Sequence, residues 1–465
     1  MKIRLVIFMS MFCGTGLYAD QFHYHNFLIG DRAIGIGGAY SAISDDSSGV
    51  YYNPAGLAYA LSNDISGSAN AFYKSSVVYE KAVANQNFTE SNSGTVPSFF
   101  GGLQKLDNIL PGLVFAFGIY EDNSELKDQN TLIQNVNLGV APPCADGKAR
   151  NPFVLERFHR TANERASTLN VAGALGYRIM PRVAIGVGLN YMDVDELVQE
   201  YQDVRELTNA CSTAGESVDF TSLRTQNVRQ HLLGYGLQLM LAIQVIVTER
   251  LSWALTLKPG QFFSQSLDQE SEVRGIQANN LTQSAIDAAA VQNQGATTNG
   301  TVISEINNTI SSNKPLGTPP LEIRSGVAYF YSPRLLLSLD LDYHGSVTNS
   351  QNIVGLGNAY EKKAILDYAM GLEYYITPSV PIRLGWFTNY DARPTLEASQ
   401  IGQRDHIDYN GESIFLAWVQ PNSQIGAGFV FQQGWGQAQK VSGSAAIQKV
   451  AASSLTFAFS ATHSL

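Results

Sequence analysis

The sequence is poor in charge, in cysteine and in long apolar runs, and each shortage removes a class of protein. Asp, Glu, Lys and Arg make up 15% of the 465 residues, against about 25% in ordinary soluble domains. A chain of this length folded as several water-facing domains would carry more. Cysteine occurs three times, as Cys13, Cys144 and Cys211, with no CxxC or Cys/His spacing of a zinc site. Beyond the N-terminus the strongest apolar stretch is Leu232 to Val247, which Gly234, Gly236, Gln238 and Gln244 interrupt. A membrane-crossing helix needs about 20 apolar residues, and a mean hydropathy of −0.06 is too polar for a bundle of them. Positive charge is scarce too: 30 Lys and Arg against 40 Asp and Glu leave a net charge of −10 with no basic stripe, so no nucleic-acid partner is expected.

What the chain does have is Gly (41), Tyr (22) and Phe (22), the material of an aromatic and small-residue wall. Lys2 and Arg4, the apolar run Leu5 to Phe12 and Leu17-Tyr18-Ala19 read as a secretory leader, residues 1–19, cleaved after Ala19. Phe12 before Cys13 argues against a lipid anchor. Loss of Lys2 and Arg4 takes the net charge from −10 to −12. Cys144 and Cys211 then remain, both in polar stretches; an oxidising compartment lets them pair, and two free thiols are the alternative.

Period-two alternation recurs along the chain. In 231–245, Leu233, Tyr235, Leu237, Leu239, Leu241, Ile243 and Val245 oppose a small or polar face that includes Gly234, Gly236, Gln238 and Gln244. In 335–345, Leu335, Leu337, Leu339, Leu341 and Tyr343 oppose Ser338, Asp340 and Asp342. Fourteen such strands are expected, near 65–73, 97–106, 112–121, 167–179, 183–194, 231–245, 251–260, 321–331, 335–345, 365–376, 382–391, 411–420, 424–436 and 453–463. One strand alone fits a soluble sandwich as well. The connections decide: compact turns such as DNILP, MPR and SPR alternate with long polar stretches at 122–166, 195–230 and 261–320. That asymmetry belongs to a transmembrane β-barrel, whose short turns face the periplasm and whose long loops face outward. The last strand puts Leu455, Phe457, Phe459, Ala461, His463 and Leu465 on one face, similar to the C-terminal signal read by barrel-assembly machinery, though with Leu where an aromatic is usual.

The most specific segment precedes the strands: GDRAIGIGGAYSAISDDSSGVYYNPAGLAYA, residues 30–60. Asn53 before Pro54 is held out of the helical region, and Pro54 opens a helical turn without loss of a needed N–H bond. Asp45 and Asp46 are placed to cap the following turn. Gly35, Gly37 and Gly38 allow close backbone packing. This string resembles the N-terminal hatch of the FadL family of outer-membrane transporters, with Arg32, Gly35, Gly37, Gly38, Asp45, Asp46, Tyr51, Tyr52, Asn53, Pro54, Ala55 and Gly56 in register. The motif covers about thirty residues, and the strand count extends the likeness over the chain. The resemblance implies a hatch at 20–62 plugging a fourteen-stranded barrel at 63–465, in the outer membrane of a Gram-negative bacterium. It also implies passive uptake of long-chain fatty acids or aromatic hydrocarbons, captured in an external hydrophobic groove and released after the plug rearranges. Lateral exit through a kinked early strand follows from it, with Gly101, Gly102 and Gly118 as candidates because glycine weakens a ladder.

Inward-facing Glu322, Arg324, Asp340, Asp342, Asp367, Glu373 and Arg383 are expected to pair between wall and plug, with Arg324 and Arg383 as the alternative receptors of a ligand carboxylate. No catalytic Ser/His/Asp grouping, cofactor motif or metal site is expected; Gly35 to Gly38 follows no strand, and Asp45-Asp46 lacks the alternation of a calcium loop. The expected partners are a hydrophobic ligand, outer-membrane lipid and the assembly machinery, with the chain a monomer. A general porin would lack the hatch, whereas a surface adhesin using the barrel as a platform would exploit 261–320, where Ile286, Ala289, Ala290, Ile303 and Ile306 carry a helical spacing.

Overall fold

The structure, a computed structural model, describes residues 22–465 apart from 84, 141, 212–214, 216, 279–296, 299–300, 314–317, 349–360, 401–402 and 441–445. The leader expected at 1–19 lies outside the described residues. Fourteen antiparallel strands form the barrel wall. They are β1 Asp64–Val83, β2 Gln86–Lys105, β3 Leu113–Gly139, β4 Phe153–Met180, β5 Val183–Cys211 and β6 Ser217–Thr248. β7 comprises Leu251–Lys258 and Gly260–Ala278, divided at Pro259, both parts pairing with β6. β8 comprises Thr301–Ser312 and Glu322–Ser332, which pair with the two parts of β7 in turn. Then come β9 Leu335–His344, β10 Ile365–Thr377, β11 Val380–Asn389, β12 His406–Gln420, β13 Ser423–Ala438 and β14 Gln448–Ser464. β14 returns to β1, from Asp64↔Ser464 to Tyr79↔Val450, so the ring is closed.

The wall follows the alternation. On β9, Leu337, Leu339 and Leu341 are exposed while Leu336, Ser338, Asp340 and Asp342 are buried. Similar outward rows occur on β4 (Leu169, Val171, Leu175), β5 (Ile185, Val187, Leu189), β12 (Ile414, Leu416, Trp418) and β14 (Leu455, Phe459). Large apolar side chains outside and polar ones within make a lipid-facing belt, as the period-two reading requires. No described helix is long and apolar enough to cross a membrane.

The polar stretches read as long loops are for the most part strand. β3 runs to Gly139 and β4 begins at Phe153; β5 and β6 leave only 212–216 between them. β1 and β2 likewise extend to Val83 and from Gln86 rather than stopping near 73 and 97. Ile303 and Ile306 sit in a strand, not a helix, whereas Ile286, Ala289 and Ala290 lie outside the described residues. The reason is geometric. A spanning strand needs about 9–11 residues, so β9 and β11, with 10 each, are used up by the bilayer, while β6, with 32, rises well beyond it. Above the bilayer both faces of a strand meet water or polar neighbours, and the apolar alternation vanishes.

Candidate functional site: a plug and its chamber

Residues 22–62 lie inside the ring and are almost wholly buried. Four short helical turns shape them: α1 Asp31–Gly35, then Ser41–Ile43, α2 Gly49–Tyr52 and Gly56–Tyr59. Asn53 is extended, with φ −160°, as the following Pro54 demands. Its Oδ1 accepts from Ala55 N (3.0 Å), and its Nδ2 donates to Ser41 O (2.7 Å) and to Gln244 Oε1 on β6 (2.9 Å). Gln244 Nε2 donates in turn to Ala42 O (2.9 Å). Asn53 thus ties two turns of the plug to each other and to the wall. Asp46 accepts from Ser48 N (2.9 Å) in a turn ahead of α2, which has no side-chain cap, and Asp45 points to Arg32 Nη1 (3.3 Å), so neither aspartate caps the helix as expected.

The glycines fit close packing. A Cβ on Gly35 would press on Arg383 and Phe415, and one on Gly37, whose φ is +66°, would meet Trp386 N at 2.9 Å. Gly38, at φ +83°, takes a backbone conformation that L side chains rarely adopt. Opposite them, wall glycines clear the way: a Cβ on Gly385 would collide with Gly37, and one on Gly186 with Pro54 and Ala55.

Charge docks the other flank. Arg32 holds Glu373 with two bonds (Nη2–Oε1 2.8 Å, Nε–Oε2 3.0 Å), and Arg383 Nε reaches the same carboxylate at 2.7 Å. Asp31 lies 3.5 Å from Arg383 Nη1 and accepts from Gln424 and Ser460. Asp340 Oδ2 accepts from the backbone N of Tyr40 and Ser41, at 3.1 and 2.9 Å. Arg324 donates to Asp342 (Nε 3.0 Å), nears Glu322 (3.1 Å) and lies over Tyr51 and Tyr52. Both arginines considered as carboxylate receptors are therefore engaged by carboxylates of the protein itself. Glu322, Asp342 and His344 bring possible ligand atoms within 4.8 Å of one another, but Lys258 binds Glu322 at 2.6 Å and Arg324 neutralises Asp342, so the group is an ion-pair network.

The kink candidates are placed differently from expectation. Gly101 pairs with Gly118, and Gly102 with Phe117, in an unbroken stretch of the β2–β3 ladder. Their missing side chains admit Phe99 and Phe117 to Gly101, and Val50 of the plug to Gly118. The ladder ends two rungs beyond the Gly101–Gly118 pair, at Phe99↔Tyr120. Beyond it β2 pairs with β1 alone and β3 with β4 alone, so a seam opens in the wall at Pro97-Ser98, where Pro97 has no N–H to donate. Register shifts in the β1–β2 ladder fall at the same level.

A chamber of about 130 Å³ lies between the plug and β3–β9, with Tyr24, Tyr51, Tyr120, Met192 and Phe262 on its apolar part and Asp122, Asn170, Lys258, Glu322, His344 and Lys362 on its polar part. Tyr120 belongs both to it and to the foot of the seam. A larger cavity of about 690 Å³ lies among the raised parts of β3–β8, and its lining is polar: Asp128, Gln129, Asn163, Glu200, Glu270 and Glu272. That is not the external hydrophobic groove that the resemblance implied. Beside it Arg160 joins Glu200 (2.6 Å) to Glu90 across the seam (3.1 Å), and Lys440 joins Glu90 to Asp405 (3.5 and 2.9 Å). Burial by itself would lower the pKa of Lys440, but Asp405 and Glu90 carry it above its ordinary value. Cys144 is buried and disulfide-bonded; the side chain of Cys211 lies outside the described residues.

A closed fourteen-stranded ring with its N-terminal segment coiled inside has known counterparts. A Pseudomonas aeruginosa FadL homologue superposes with a TM-score of 0.54 at 12% identity, over 95% of this chain and 99% of that one. The chain has the FadL fold. The Pseudomonas putida toluene transporter TodX matches with a TM-score of 0.54 at 12% identity (94% and 99% covered), and the CymD monoaromatic hydrocarbon channel with 0.53 at 11% (94% and 97%). No family model matches the sequence, and no curated protein does. Identities this low carry the FadL fold and nothing finer. The sequence reading found the plug and its glycines but missed the roles of Gln244, Asp31, His25 and Ser413; a glutamine, one of two in the apolar run 232–247, was the one visible signal among them.

Proposed function

We propose that the protein sits in the outer membrane of a Gram-negative bacterium and passes small apolar molecules across it without an energy source. The observation that carries this is the chamber of about 130 Å³ between an aromatic plug face and the foot of the β2–β3 seam. Its size is close to the ~150 Å³ of a buried cavity that holds benzene, which favours ring-sized hydrocarbons over long-chain fatty acids. The seam supplies a sideways exit, and each methylene kept out of water on that route is worth about 0.8 kcal/mol. The likeness to TodX and CymD supports the same ligand class.

Met192 lines the chamber from β5. Met192→Trp should cut toluene uptake by a deletion strain at least about tenfold while leaving the heat-modifiable band of the folded barrel in place. Unchanged toluene uptake together with lost oleate uptake would shift the reading to fatty acids, and loss of neither would leave the barrel as a platform for surface binding. The orientation is checked separately: after reduction, a membrane-impermeant maleimide should reach Cys144 on intact cells.

A further inference from the structure

Residues 22–27 cross the lumen as an arm, from Ile407 on β12, where His23 Nε2 makes a 2.7 Å bond, to Asn123 on β3, where Asn26 Nδ2 donates at 3.1 Å. Three inner cavities, of about 130, 60 and 10 Å³, border on this arm. His25 holds its middle. The backbone N of His25 donates to Asn389 Oδ1 (2.9 Å), Nδ1 lies 3.1 Å from Thr388 O, and Nε2 lies 3.0 Å from Asp342 Oδ2.

Both ring contacts are to acceptors. A backbone carbonyl has no proton to give, and Asp342 Oδ2 also receives Arg324 Nε and Nη2, at 3.0 and 2.5 Å, which fixes it as a carboxylate. Each bond therefore requires a proton on the ring, and the imidazole must carry two. The groups facing it are Asp342 and His344 from β9, Asp367 from β10 and Arg324 from β8, with Thr388 O, Asn389 and the edge of Phe387 from β11. Burial opposes the charge, but the bond to Asp342 and the fields of Asp367 and Asp342 outweigh it and raise the pKa of His25.

We propose that His25 is a proton-held latch: the arm stays across the lumen while the ring is charged and is released when the ring gives up a proton. Whichever nitrogen loses its hydrogen then points a lone pair at an acceptor, so one of the two bonds is lost. The sign is fixed by linkage. The docked arm has the higher pKa, so docking is fully favoured below the ordinary histidine value and weakens as pH rises through the docked value. The role in uptake rests on the transport reading above; the latch itself does not.

Nitrogen-15 NMR of histidine-labelled protein in micelles tests the latch, with the His25 signals assigned by their loss in His25→Gln. A His25 midpoint above that of free histidine is expected, and hydrogen exchange of residues 22–27, corrected for its intrinsic pH dependence, should rise as the ring titrates. A midpoint at or below the free value overturns the latch. Toluene uptake should increase about threefold or more from pH 6 to pH 9 in the parent and stay flat in His25→Gln; identical profiles overturn control of the lumen by His25. If exchange follows the titration but no hydrocarbon is taken up, the latch stands and the transport reading falls. Should His25→Gln fail to assemble, Asp367→Asn should lower the His25 midpoint, and an unmoved midpoint would count against the proposal.

Discussion

The plug meets the wall in two different ways. Toward β9–β14 it is docked by buried charge, through Arg32 and Arg383 on Glu373, Asp31 on Gln424 and Ser460, and Asp340 on two backbone N–H groups. Toward β3–β5 small contacts prevail: Val50 meets Gly118, Pro54 lies on Gly176 and Gly186, and Ala55 and Ala58 pack on Ala184, with Asn26 bonded to Asn123 and Arg178 over the Tyr59 ring beside them. Charge in a low dielectric fixes one geometry and penalises any other. Small apolar contacts lose little when they slide. The seam opens beside β3, and the chamber reaches from β3 round to β9, so the smooth flank of the plug adjoins the foot of the route proposed for the ligand.

The sharpest way to break this contrast is Arg383→Ala, which leaves Asp31 and Glu373 buried with fewer partners. The expected cost is about 3–5 kcal/mol, read as faster hydrogen exchange in residues 31–35 with no change at 56–59. Equal loosening at both ends would mean that the plug moves as one block and that its flanks are not independent. Gly186→Val should do the reverse, costing about 1–3 kcal/mol by overpacking Pro54 and Ala55, with exchange rising at 56–59 and not at 31–35.

A smaller effect is expected from Asn53→Ala with Pro54→Ala, which removes the bonds to Ser41, Gln244 and Ala55 and frees one backbone angle. About 1–3 kcal/mol of plug docking should go, with uptake altered while heat-modifiable migration and surface labelling of the barrel stay as in the parent. Failure to assemble would make the motif a folding element instead. Least of all should Ser413→Ala matter: it deletes one bond, Ser413 Oγ to Gly35 O at 3.0 Å, worth about 0.5–1.5 kcal/mol. A larger loss in unfolding measurements would show that the charged flank is less redundant than its several pairs suggest.

How far the sequence could be read follows the same physics. Where strands cross lipid, one face must be apolar, and the alternation in 231–245 and 335–345 was legible for that reason; the wall of fourteen strands came from it. Above the bilayer that constraint ends, and 122–139, 195–211 and 261–278 read as loops although they are strands. The plug's turns were legible because Asn53-Pro54 and the glycines have local conformational needs. The partners of Arg32 and Arg383 were not, since they depend on which rung of β10 faces which turn, a fact of register that no local pattern carries. Nothing local marks His25, because its acceptors, Thr388 and Asp342, are more than 300 residues away in sequence.

The ring's closing seam runs between β1 and β14, down to Leu465 N on Asn63 O at 2.9 Å. Translation therefore makes the stopper first and the strand that seals the vessel last. Until β14 is added, residues 22–62 have no enclosed lumen to occupy, and Ile29, Ile34, Ile36 and Leu57, all fully buried in the finished molecule, have nothing apolar to hide against except whatever shelters the chain in transit. The order of manufacture thus leaves the plug without its cover until the end, and it gives the barrel one last joint whose closure shuts the plug inside.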